Sequence, residues 1–97
     1  MPTVLITGAN RGLGLEFTKQ YAMEGWQIFA CCRNPSTAKD LAAIKGKISI
    51  HRLDMLDDSQ IRQLSQELSG QAIDVLINNA GVGEFADRLG NIETTKW

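Results

Sequence analysis

Residues that commonly carry proton transfer, nucleophilic attack or metal ligation are scarce here: 97 residues hold one histidine, one tyrosine and two cysteines. His51 has no acid–nucleophile pattern around it, which argues against a catalytic role. Cys31 and Cys32 are adjacent, not spaced as C-x-x-C, which argues against a disulfide scaffold or a zinc site. They read as two small apolar residues in a buried strand. Charge of one sign is missing too. Ten basic residues face eleven acidic ones, for a net charge of −1, so no broad field favours a nucleic acid. Trp26 and Trp97, without a basic patch, read as packing groups. No apolar run approaches membrane-spanning length, and Met1-Pro2 leads directly into an apolar segment with no visible signal peptide. The expectation is a cytoplasmic protein with neither a membrane nor a nucleic-acid partner. Low-complexity segments, linkers and repeats are likewise missing. What remains, 43% hydrophobic and 22% charged residues, is the composition of one globular unit with a small core.

Alternation of short apolar runs with helical patterns fills the chain. T-V-L-I-T at residues 3–7 reads as a buried strand ended by Gly8. A glycine-rich turn, Gly8 to Gly14, leads into a helix over 13–24, with Leu13, Phe17 and Tyr21 as its apolar face and Gly25 as its cap. Q-I-F-A-C-C at 27–32 is a second strand. Ser36 is placed to cap a short helix running to Ile44. The alternating run at 48–53 predicts a third, less buried strand. The next helix, at 57–68, carries Ile61, Leu64 and Leu68 as its stripe and closes at Gly70. Asp57-Asp58 supplies negative charge to its N-terminus. The run 73–78 is a fourth strand, apolar on both faces, and Thr94-Thr95 read as the start of another helix. A β-α-β-α-β-α-β order with crossover helices predicts an α/β fold with a parallel, doubly wound Rossmann-type sheet in strand order 3-2-1-4.

The strongest chemical signal is Thr7-Gly8-Ala9-Asn10-Arg11-Gly12-Leu13-Gly14, which follows a predicted strand and opens a predicted helix. Glycines allow a tight turn and close approach of a pyrophosphate, and the N–H groups and dipole at the helix start favour the anion. T-G-x-x-x-G-x-G, together with Asn78-Asn79-Ala80-Gly81 after the fourth strand and Asp54 after the third, resembles the short-chain dehydrogenase/reductase family across the whole chain. Within it, the opening and the C-C-R-N-P run look most like carbonyl-reductase and C-factor relatives.

The resemblance implies a set of cofactor contacts. Gly8, Gly12 and Gly14 form the turn. Asn10 and Leu13 would contact ribose and pyrophosphate, Asp54 would accept from the adenine amino group, and Met55 would offer its backbone. Asn79, Ala80 and Gly81 would lie along the adenosine ribose, whereas Asn78 has an alternative role in tying the fourth strand to the Thr7 loop. Charge argues for NADP(H) over NAD(H). The position that is acidic in NAD-preferring relatives is Cys32, while Arg33 follows it and Arg11 lies in the glycine turn. Two planar guanidinium groups suit a 2′-phosphate. Family catalysis uses a Ser and a Tyr-x-x-x-Lys, yet Tyr21 is followed four positions later by Gly25, so no catalytic residue is assigned. The expectation is that residues 1–97 form the cofactor-binding N-terminal half of an NADP(H)-dependent oxidoreductase acting on a carbonyl or alcohol. Its fourth strand would present a bare edge that favours a homo-oligomer. The alternative is a non-catalytic NADP(H)-binding or oligomerising module.

Overall fold

The computed structural model describes residues 2–79 and the backbone of residues 93–94. Four parallel strands form the main sheet in spatial order β3-β2-β1-β5, with β1 at Thr3–Ile6, β2 at Gln27–Cys32, β3 at Lys47–Arg52 and β5 at Val75–Ile77. Val4, Leu5 and Ile6 pair with Ile28, Phe29 and Ala30 on one side and with Val75, Leu76 and Ile77 on the other. The chain therefore builds outward from β1 in one direction, then crosses back to the other side. This reversal opens a crevice at the carboxyl ends of the strands.

Alternation along the strands sends side chains to both faces. Leu5, Phe29, Cys31 and Leu76 join Ile61, Leu64 and Leu68 of the segment that carries helix α3 (Asp58–Glu67). Val4, Ile6, Ile28, Ala30 and Cys32 face α1 (Gly12–Met23) and α2 (Lys39–Ala42). Helices thus cover both faces, which is why β1 and most of β2 are fully buried. The outer strand β3 alternates between exposed and half-buried, as its sequence pattern predicts.

The predicted fourth strand is not continuous. It is split into β4 (Ala72–Ile73) and β5 by Asp74, which is tied to the start of β1. The Thr3 N–H donates to Asp74 Oδ2 (2.8 Å), and the Asp74 N–H donates to the Thr3 carbonyl (2.9 Å). A side chain that competes with the ladder for a backbone donor breaks the strand there. Its first piece, β4, pairs instead with β6 (Glu93–Thr94). Thr94 is therefore in a strand and not at a helix start, because its backbone is taken up by that pairing; Thr95 lies outside the described residues.

Two helical expectations are adjusted and one is kept. The segment after β2 is a 3-10 turn (Pro35–Thr37) followed by the four-residue α2, and Ser36 does not cap it: the Ser36 hydroxyl donates to Asn34 Oδ1 (2.7 Å). The helix at 57–68 keeps its predicted stripe, with Asp57 as its N-cap. Helix α1 turns only part of the expected face inward: Tyr21 packs against the core. Leu13 and Phe17 are exposed, and the buried positions are Gly14 and Thr18. A Cβ on Gly14 would overlap the Gly8 carbonyl, so the helix lies too close to the glycine turn for a large residue on that side. The Thr18 hydroxyl donates to the Gly14 carbonyl (2.8 Å), which satisfies a buried polar group within the helix. The end of α1 follows its expected glycine stop. The N–H of Gly25 (φ 82°) donates to the Ala22 carbonyl and that of Trp26 to the Tyr21 carbonyl, a Schellman arrangement. The Tyr21 and Trp26 rings seal it edge to face at 4.7 Å.

Candidate functional site

Each strand of the main sheet delivers a different chemical group to the same edge. Beyond β1 comes the glycine turn, beyond β2 Arg33, beyond β3 Asp54 and Met55, and beyond β5 Asn78 and Asn79. A cleft of about 820 Å³ runs between them. Nine of the sequence-predicted residues line it: Gly8, Asn10, Arg11, Gly12, Leu13, Arg33, Asp54, Met55 and Asn79. Gly14 is buried beneath the turn as a packing position. Ala80 and Gly81 lie outside the described residues.

The turn is built for close backbone approach. Gly8 and Gly12 both take positive φ (59° and 56°), a conformation that costs side-chain-bearing residues about 1–2 kcal/mol. Around Gly12 a Cβ would meet nothing within 4 Å, so the backbone borders open space. Arg11 occupies the N-cap of α1 without a side-chain cap bond. The first N–H groups of this twelve-residue helix are therefore left for an anion at the cleft. The turn itself is held from below. The Thr7 N–H donates to the Ile77 carbonyl and the Ala9 N–H to the Cys31 carbonyl, both at 3.0 Å.

The two asparagines after β5 have separate partners. The Thr7 hydroxyl donates to Asn78 Oδ1 (3.2 Å), so Asn78 does tie this strand to the first. Asn79 Nδ2 donates to the Gly8 carbonyl (3.3 Å). Asn79 thus braces the glycine turn as well as lining the cleft. Asp54 also has two faces. Its Oδ1 accepts from the Leu56 N–H (2.9 Å), the bond of a simple turn residue, while a carboxylate retains a second oxygen for a ligand in the cleft.

The positive corner of the cleft holds Arg11 and Arg33, both exposed. Neither makes an ion pair among the described residues. Cys31 and Cys32, which sequence reasoning set aside as core, are buried and yet reach the floor of the same cleft. Burial pushes both thiols up, and for Cys31 the neighbouring Cys32 and Glu67 add to the effect. Raised, buried thiols are poor nucleophiles, so they shape the cleft without offering chemistry. Asn34, whose amide oxygen accepts from the Ser36 hydroxyl, Leu53 and Leu56 also line the cleft and were not among the expected contacts. His51 lies away from the cleft. Its Nδ1 sits 3.3 Å from Glu67 Oε2, linking β3 to α3.

A glycine turn after β1, a helix start without a side-chain cap and an acid beyond β3, two strands away, are features shared with dinucleotide-binding doubly wound folds. Residues 2–97 match the family model for short chain dehydrogenases, and the chain belongs to that family. It is 40% identical over 93 residues to a short-chain dehydrogenase of Talaromyces islandicus, covering 92% of this chain and 32% of that one. It is 33% identical over 89 residues to (+)-neomenthol dehydrogenase of Arabidopsis thaliana, covering 81% and 30%. Among solved structures, a Burkholderia multivorans protein described as a short-chain dehydrogenase/reductase with bound NADP superposes with a TM-score of 0.75 and 34% identity, over 84% of this chain and 37% of that one. An actinorhodin polyketide ketoreductase with NADPH gives 0.69 and 30%, over 84% and 33%. The chain spans about a third of the length of these relatives.

Proposed function

We propose that this chain is the NADP(H)-holding part of a short-chain oxidoreductase whose substrate is a small carbonyl compound or alcohol. When bound, the nicotinamide would donate or accept hydride at the substrate carbon. The roles of the chain's own residues are to bind and orient. The turn from Gly8 to Leu13 and the start of α1 would hold the pyrophosphate, Asn10 and Asn79 would border ribose, and Asp54 would accept from the adenine amino group. No residue among these 97 is assigned a proton-transfer role, since Tyr21 lies in α1 and Gly25 stands four positions on. We assign residues 1–97 to the N-terminal half of the cofactor domain.

The observation that carries the choice of NADP(H) is the corner where β2 ends. Cys32 brings no carboxylate to hold a 2′-hydroxyl or repel a 2′-phosphate, and two guanidinium groups with no ion pair among the described residues line the cleft beside it. NADP and NADPH in related structures support the same reading. Titration calorimetry on Arg33→Ala tests it. The expected loss for NADPH is roughly 1.5–3 kcal/mol, about 10- to 100-fold in affinity, toward the low end at an exposed site. NADH binding is expected to change little. Equal losses for both cofactors would overturn the 2′-phosphate assignment.

A further inference from the structure

We propose that Leu56 is a cofactor-contacting residue that covers the outer face of the adenine ring; this rests on the cofactor reading above and adds a residue to it. Four large apolar side chains are exposed among the described residues, and two of them, Leu13 and Leu56, line the cleft. Leu56 is the most exposed of the four, at 90%. A lone exposed leucine is ordinary on a protein surface, but this one is held in place. Its N–H donates to Asp54 Oδ1 (2.9 Å), and the Asp57 N–H donates to the Asp54 carbonyl (2.9 Å). The Asp54 N–H in turn donates to Oε1 of Gln60 in α3 (2.8 Å). The turn is thus fixed to itself and to a helix, so seating a ligand against it costs little further ordering.

The chemistry of the turn points to one kind of occupant. A carboxylate acceptor and an exposed apolar side chain stand two residues apart on one lip, and Met55 between them packs against the core cluster. Such a lip suits a flat ring with an apolar face and an amino group on its edge. Asp54 would take the amino edge, and Leu56 would exclude water from the face.

The test is calorimetric titration of the full chain and its Leu56→Ser and Leu56→Phe variants with NADPH and with 2′,5′-ADP, which keeps the adenine but lacks the nicotinamide. Leu56→Ser is expected to weaken both ligands alike by about 5- to 20-fold, the share of a leucine's burial that a ring face supplies. Leu56→Phe is expected to bind both as tightly as the parent chain. Melting temperatures are expected to stay level across the three, because the side chain is solvated in the free protein. If Leu56→Ser binds both ligands normally while Arg33→Ala still weakens NADPH, the cofactor reading stands and the Leu56 assignment falls. If Leu56→Ser shifts the sedimentation coefficient and not the affinities, the side chain belongs to a protein contact and the assignment likewise falls. If the parent chain binds neither ligand, both readings fall together.

Discussion

At the residue scale, single polar side chains decide where backbone elements begin and end, and some act where their residue type alone gives no warning. Asp57 was readable only as negative charge at a helix start; the structure places it one residue before the helix, as the N-cap, where its carboxylate accepts from the Ser59 and Gln60 N–H groups. The Ser59 hydroxyl, at 2.6 Å, is the main cause holding the Asp57 carboxyl below its ordinary value of 3.8, with the Gln60 N–H next. A lowered carboxyl favours the folded state above that ordinary value, and the benefit is lost as pH falls through the lowered one, since the unfolded chain binds the proton first. Asp57→Asn retains an oxygen acceptor for the cap. Its melting temperature at neutral pH is expected to stay near the parent's, with a flatter decline than the parent shows as pH falls below the ordinary carboxyl value of 3.8. Unchanged acid sensitivity in thermal scans would contradict this role. Asp74 was not readable. Its type fits a strand poorly, but nothing in the local pattern reveals a partner 71 residues away in Thr3.

At the scale of elements, periodicity located every strand of the main sheet and all three helical regions, because burial on both faces leaves continuous apolar runs in the strands. It misjudged the first two turns of α1, where Leu13 and Phe17 are exposed, although Tyr21 packs against the core as expected. The four-residue spacing of Leu13, Phe17 and Tyr21 looks like a core stripe, but close approach to the Gly8 carbonyl selects Gly14 and Thr18 instead. Contact distance between elements is a tertiary quantity, and only the glycine itself hints at it. The edge of the sheet carries a prediction at this scale. Among the described residues, β5 is paired with β1 on one side only, and an unpaired strand edge recruits other chains. A second copy is the proposed partner. Sedimentation equilibrium is expected to give a mass that rises with concentration toward a dimer. A single monomer mass across the range would contradict that partner.

At the scale of the whole molecule, the sheet brings to one edge groups that are far apart in sequence. The glycine turn and the asparagine pair were legible as motifs, since each combines residue type with position after an apolar run. Arg33 and Asp54 were legible through the family resemblance together with their place at strand ends. Asn34, Leu56 and the cysteine floor were not, because their part in the cleft follows from the arrangement of strands alone. The central claim is that this edge, and no other surface, receives the 2′-phosphorylated adenosine half of a dinucleotide. The most direct test is amide chemical-shift mapping of the labelled chain with 2′,5′-ADP and with 5′-AMP. The expected result is a set of shifts gathered on the turn from Gly8 to Leu13, on Arg33 and on the turn from Asp54 to Leu56, with the Arg33 shifts much smaller for 5′-AMP. Shifts centred elsewhere, or identical responses to the two nucleotides at Arg33, would contradict the account.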